Sequence, residues 1–115
     1  MTSVLLVSHD GDLRAVATRV LERAGFQVKA VPHGGHALLA CVERGAIDVL
    51  VIEQDLPEGP GSAIAARLRR HCPAMHVVRM CDAAGAAGEG MAVVRPFTAD
   101  DLIEAVQTLR RIISR

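Results

Sequence analysis

Short apolar runs with no polar interruption constrain this chain more than any other feature. Val4-Leu5-Leu6-Val7 and Val49-Leu50-Val51-Ile52 contain no polar residue, and each runs directly into a polar cluster, Ser8-His9-Asp10 after the first and Glu53-Gln54-Asp55 after the second. A strand with one face in water alternates apolar and polar side chains, whereas an unbroken run is covered on both faces, as in a parallel sheet. Gln27 to Val31 reads as a weaker strand closed by Pro32 and the Gly34-Gly35 pair. His76 to Met80 reads as a fourth strand and Ala92 to Val94 as a fifth.

Helical periodicity fills the intervals. From Asp12 to Ala24 the apolar positions Leu13, Val16, Val20 and Leu21 recur on one face, and Gly25 supplies the stop. Gly35 to Arg44 is expected to bury Leu38, Leu39 and Val42. After the turn Leu56-Pro57-Glu58-Gly59-Pro60-Gly61, a third helix is expected from Ser62 to about His71. Thr98-Ala99-Asp100-Asp101 has the form of a capping box and opens a last helix whose shared face carries Leu102, Val106, Leu109 and Ile113. Strands alternating with helices predict an α/β fold, a parallel sheet between two helical layers. No repeat or linker divides the chain, so residues 1–115 are expected to form one domain. Half of the 115 residues are apolar, enough for a core without metal or disulfide staples.

Charge and composition narrow the function. Lys plus Arg and Asp plus Glu stand at 13 each, so the basic excess of a nucleic-acid surface is missing, although Arg110, Arg111 and Arg115 make the tail locally positive. Phe26 and Phe97 are the only aromatic residues, which leaves almost nothing to stack on a base or a flavin. Cys41, Cys72 and Cys81 follow no disulfide or metal spacing, and no apolar run approaches the length of a membrane span. A soluble cytoplasmic domain with no membrane or nucleic-acid partner is expected. Gly59-Pro60-Gly61-Ser62 lacks the Lys of a phosphate loop. His33-Gly34-Gly35-His36 and His71-Cys72 with His76 read as a turn and a helix terminus rather than as metal sites.

In parallel α/β sheets ligands sit at the carboxyl ends of the strands. The residues there are Ser8, His9 and Asp10, then Glu53, then Cys81 and Asp82, then Arg95. Taken with Leu56-Pro57 and Gly61 after the third strand and with Arg95-Pro96-Phe97, the chain is similar over nearly its whole length to the CheY-like receiver domains of bacterial response regulators. That resemblance implies a three-layer flavodoxin-like fold with sheet order 2-1-3-4-5. It also implies a site in which an acidic pair binds Mg²⁺, an Asp accepts the phosphoryl group, and a Ser or Thr and a Lys hold its oxygens.

Carried over residue by residue, the site is degenerate. The acidic pair falls on Ser8 and His9, with Asp10 keeping the neighbouring acidic position. The acceptor falls on Glu53, four residues before Pro57. The hydroxyl position falls on Cys81, the lysine on Arg95, and the aromatic switch three residues earlier on Ala92. Mg²⁺ prefers several hard oxygen ligands, and only Asp10, Glu53 and the Ser8 hydroxyl offer them. A glutamate reaches one methylene further than an aspartate, and a misplacement of about 1 Å can cost on the order of 10²-fold in rate. Cys81 is a weak donor. A zinc set of His9, Asp10, Glu53 and Cys81 has competent ligand types but no tight spacing.

The resemblance therefore implies a non-enzymatic, phosphorylation-independent receiver of two-component signalling that carries no cofactor and works as a protein-interaction module. Its partner would be a histidine kinase, an output domain, another receiver or a second copy. The alternative is a working receiver with Mg²⁺ at Asp10 and an unusual acceptor, Glu53 or Asp55. An ion pair between Glu53 and Arg95 has two readings, a built-in phosphate mimic or a salt bridge filling a dead site. Only 14 positions separate Cys81 from Arg95, fewer than the family usually has, and Gly85, Gly88 and Gly90 fall among them, so the fourth helix is expected to be shortened or missing. Ile103, Leu109 and Ile112, some of them exposed beside that segment, are expected to mark a dimer or partner surface.

Overall fold

Five strands hydrogen-bond into one sheet: β1 (Ser3–Val7), β2 (Gln27–Val31), β3 (Val49–Glu53), β4 (His76–Cys81) and β5 (Met91–Val94). Every pairing is parallel, and the order is β2-β1-β3-β4-β5. Four helices occur among the described residues: α1 (Gly11–Arg23), α2 (Gly34–Arg44), α3 (Gly61–Leu68) and α4 (Ala99–Ile113). An antiparallel ribbon of Asp55–Leu56 against Gly59–Pro60 fills the link from β3 to α3. This is the parallel α/β arrangement expected from the alternation, in the flavodoxin-like strand order that the resemblance implies. The computed structural model describes residues 2–44, 46–82 and 91–113. The expected shortening of the segment between β4 and β5 falls on residues 83–90, and with Arg115 and the side chain of Ile113 it lies outside the described residues.

The unbroken apolar runs are where double-sided burial puts them. Val4 to Val7 and Val49 to Ile52 are each 0 % exposed. Successive side chains go to opposite faces. Leu5, Val7, Leu50 and Ile52 join Ala37, Cys41, Ile64 and Leu68 on the α2–α3 side. Val4, Leu6, Val49 and Val51 join Leu21, Phe26, Leu102 and Val106 on the α1–α4 side. Each such Val, Leu or Ile contributes about 1.5–3 kcal/mol relative to leaving it in water, which makes the two central strands a substantial source of stability.

Helix ends follow their sequence signals. At the end of α1, Gly25 adopts φ +96°. Its amide donates to the Glu22 carbonyl at 3.0 Å and that of Phe26 to the Leu21 carbonyl at 3.1 Å, a Schellman closure that only a residue free of Cβ enters without strain. The capping box at α4 is reciprocal, Thr98 N donating to Asp101 Oδ2 at 2.8 Å and Asp101 N to Thr98 Oγ1 at 3.1 Å. α3 is shorter than expected and ends at Leu68, with residues 69–71 in turns. Pro73 disfavours helical backbone at Cys72 before it. Strand β4 extends one residue beyond Met80, and β5 starts one residue before Ala92.

The buried face of α2 is not the expected one. Ala37, Ala40 and Cys41 face the sheet, while Leu38, Leu39 and Val42 are 40 %, 55 % and 60 % exposed. Both sets have helical spacing, so periodicity alone cannot choose between them. The small side chains are the ones packed between the helix and the sheet, with Val31, Ile64 and Leu68 in the same cluster. On α1, similarly, Ala17 is buried and Val16 is exposed, with Leu13 and Val20 partly buried. On α4, Leu109 is buried and Ile103 half-buried, which leaves Ile112 as the exposed member of that expected surface. All three cysteines are buried thiols; burial and, secondarily, the neighbouring Cys72 push Cys41 up to about 12, so it is protonated at neutral pH.

Gly61 has a steric duty. It starts α3 against the end of β3, where a Cβ would overlap the carbonyl oxygen of Glu53, and its amide donates to the Gln54 carbonyl at 2.8 Å. Gly61→Ala should destabilise the fold by about 1–3 kcal/mol through backbone displacement. Gly35→Ala, where a Cβ would meet only His33 side-chain atoms at 3.6 and 3.7 Å, should be neutral or stabilising. Urea denaturation of the two variants separates them; equal stabilities would remove the steric argument.

Candidate functional site

Because β1 and β3 are adjacent and in register, with Val7 opposite Ile52, the residue after β1 meets the last residue of β3. Ser8 and Glu53 lie side by side, 0 % and 2 % exposed. From the other side of β3, the amide of Arg95 donates to the Cys81 carbonyl at 2.9 Å and so fixes the exit of β5. A cleft opens over these ends, lined by His9, Asp10, Leu13, Glu53, Arg95, Pro96 and Phe97.

Glu53 organises the cleft. The Ser8 hydroxyl donates to its Oε1. Arg95 Nη2 donates to its Oε2 at 3.1 Å, and His9 Nδ1 stands 3.6 Å from the same oxygen. A buried carboxylate without such partners costs several kcal/mol in lost hydration. Ser8 in turn accepts from the Asp10 amide at 3.1 Å, which bends the chain out of β1, and Arg14 Nη1 donates to the Ser8 carbonyl at 2.7 Å. Among the described residues no buried side-chain nitrogen or oxygen lacks a hydrogen-bond partner.

The structure thus brings together Ser8, His9, Glu53 and Arg95. Asp10 lines the cleft, but its Oδ1 is the N-cap of α1, accepting from the amides of Asp12 at 3.0 Å and Leu13 at 3.2 Å. Cys81 is inside β4 and buried, its thiol 4.0 Å from the Val93 carbonyl, and it does not line the cleft. Ala92 is half-buried in β5 opposite Arg79. Asp55 sits exposed on the ribbon, outside the cleft lining.

The donor set does not fit Mg²⁺. Both Glu53 oxygens are taken, one by a hydroxyl and one by a guanidinium whose positive charge opposes a second cation there. The zinc set is not assembled either, since Cys81 is directed at Val93. Among the described residues no group of three His, Cys, Asp or Glu side chains is placed to hold a metal. The His33 and His36 rings stack 4.1 Å apart.

Two contributors had no signal in the sequence. Glu58, in the ribbon turn, accepts the Gly34 amide at 2.6 Å and caps α2 from outside the helix. That hydrogen bond holds its carboxyl below the usual carboxylate range, helped by the nearby His33 and His9. Gln54 does the same for α3, whose N-cap Pro60 has no capping side chain: its Oε1 accepts from Ser62 N and its Nε2 donates to Ser62 Oγ, both at 3.2 Å. Capping rules look to the residue just before a helix, and these caps arrive from across a loop.

The family model described as "Response regulator receiver domain" matches residues 4–107. The transcriptional regulatory protein TcrA of Mycobacterium tuberculosis is 31 % identical over 117 residues, covering 94 % of this chain and 46 % of that protein. The chain therefore spans less than half the length of this relative. Among solved structures, the response regulator receiver protein of Sinorhizobium medicae superposes with a TM-score of 0.82 at 27 % identity, covering 96 % of this chain and 94 % of that one. The receiver domain protein of Clostridium thermocellum superposes at 0.85 over 100 % of both chains; at 20 % identity it speaks for the fold alone. No helix among the described residues is long and apolar enough to cross a membrane.

Arg95→Met should destabilise the protein by about 1–3 kcal/mol, below the range for a fully buried pair because the arginine is 38 % exposed. Adding Glu53→Gln should recover part of that loss, giving a coupling of about 1 kcal/mol in a double-mutant cycle. Strict additivity would show that the two groups do not interact. Glu58 has its folded pKa depressed, so its contribution is present above the unfolded carboxylate pKa and is lost as pH falls through the folded one. Glu58→Gln should lower stability at pH 7 by less than about 1 kcal/mol, and this gap to wild type should close as thermal melts are taken to lower pH.

Proposed function

The chain belongs to the response regulator receiver domain family of two-component signalling, and we propose that within it this domain works without phosphorylation, as a module that binds another protein. The state of Glu53 carries the reading. The residue at the position the family gives to its phosphoacceptor is a buried glutamate, with one oxygen bound by Ser8 and the other by Arg95. Attack on a phosphodonor needs a free carboxylate oxygen aligned with the phosphorus, and positive charge arranged around the transferred group. Here Arg95 neutralises the carboxylate itself. The ion pair is a fixed structural contact that ties the exit of β5 to the end of β3 and fills the place of the lost chemistry.

On this reading residues 1–115 act as one receiver unit in the cytoplasm. It has no enzymatic activity or cofactor of its own, and it makes no nucleic-acid or membrane contact. The partners are proteins: a histidine kinase, another receiver, a second copy or an output segment. TcrA is named a transcriptional regulatory protein and is more than twice as long as the matched region, which makes an output segment a natural class of partner. The test is incubation with acetyl phosphate and Mg²⁺ followed by intact mass measurement. No gain in mass is expected. A gain of one phosphoryl group that disappears in Glu53→Gln or Asp55→Asn would overturn the reading.

A further inference from the structure

We propose that the groove between α2 and α3 is a docking site for an acidic amphipathic helix of a partner protein. The inference deepens the binding-module reading and rests on it. Its first support is the inverted burial of α2. Leu38, Leu39 and Val42 are 40 %, 55 % and 60 % exposed, while Ala37, Ala40 and Cys41 face the sheet. Rotating the helix by roughly a quarter turn would exchange these faces, yet the larger side chains stay in water. Scattered exposed apolar residues are ordinary, but three adjacent ones on one helix form a patch of the kind that marks an interface.

The second support is the groove beside that patch. Leu38, Ile64 and Leu68 give it an apolar floor, and Gly34 and Gly35 line it without side chains of their own. Its volume is about 390 Å³, within the range of sites that take a ligand's anchoring groups.

The third is charge. Arg67 near the end of α3 and Arg70 and His71 in the turn after it line the opposite wall, exposed, and neither arginine has an ion pair among the described residues. Glu58 is the one carboxylate in the lining, and its Oε1 is already held by the Gly34 amide. A helix with apolar residues at i, i+3, i+4 and i+7 and Glu or Asp beside them would lay its stripe on Leu38, Leu39 and Val42 and its acids against Arg67 and Arg70.

Fluorescence anisotropy on the full chain tests this with three labelled synthetic helical peptides. One carries leucines at that spacing flanked by Glu, one has the same stripe flanked by Lys, and one has the composition of the first with the leucines scrambled. The acidic amphipathic peptide should bind saturably, at least ten-fold tighter than either control, and more weakly as salt rises. Leu38→Asp, Val42→Asp and the pair Arg67→Glu with Arg70→Glu should each weaken it ten-fold or more with unchanged circular dichroism and melting. Val16→Asp, on the exposed face of α1, should leave it intact.

Failure to prefer the acidic peptide, or undiminished affinity in Leu38→Asp, would overturn the proposal. So would self-association in sedimentation that Leu38→Asp abolishes, since the occupant would then be a second copy. The acetyl phosphate experiment fails or succeeds on separate grounds, so a phosphorylated chain would sink the parent reading without being mistaken for an empty groove.

Discussion

β1 and β3, covered on both faces, carry polar side chains only where they end. That constraint governs this protein. β1 is wholly apolar from Val4 to Val7 and β3 from Val49 to Ile52, and they terminate at the same level because they are paired in register. Their first polar residues, Ser8 and Glu53, are therefore brought together at the edge of the core, where neither has free access to water. Each must then satisfy the other or find a partner nearby, and Arg95, delivered by β5, completes the neutralisation. The site is less an addition to the fold than the point where burial of the two central strands runs out.

Much of the fold was legible in the sequence because the strongest signals were physical necessities. An unbroken Val-Leu-Leu-Val run has few alternatives to a central strand, Gly25 stands where the chain must turn left-handed, and the Thr98–Asp101 box is reciprocal as written. The face of α2 was not legible. Its leucine and alanine stripes have equal periodicity, and hydrophobicity favoured the leucines, whereas the packed helix holds its small residues against the sheet. Packing geometry is a property of three dimensions, and a single sequence carries it only weakly.

The site divides along the same line. Ser8, His9, Glu53 and Arg95 could be placed from strand ends alone, because their backbone positions follow from the sheet. Asp10 and Cys81 could not be assigned in this way. Strand order says that they are near, but the Asp10 side chain is taken by the first turn of α1 and the Cys81 thiol by the Val93 carbonyl. Proximity along the chain to a strand end is thus a weaker statement than participation in the cleft.

The link from β3 to α3 has a mechanical consequence. Glu58 holds the first turn of α2, Gln54 holds the first turn of α3, and Gly61 lets the backbone close against β3. Two helix starts that are distant in sequence are therefore clasped by one short stretch of chain. Opening that stretch releases both helix starts at once, so local fluctuations on this side of the sheet are coupled into one cooperative unit rather than two independent frays. The groove between α2 and α3 lies inside that unit, and its width is set at one end by a clasp that neither helix carries.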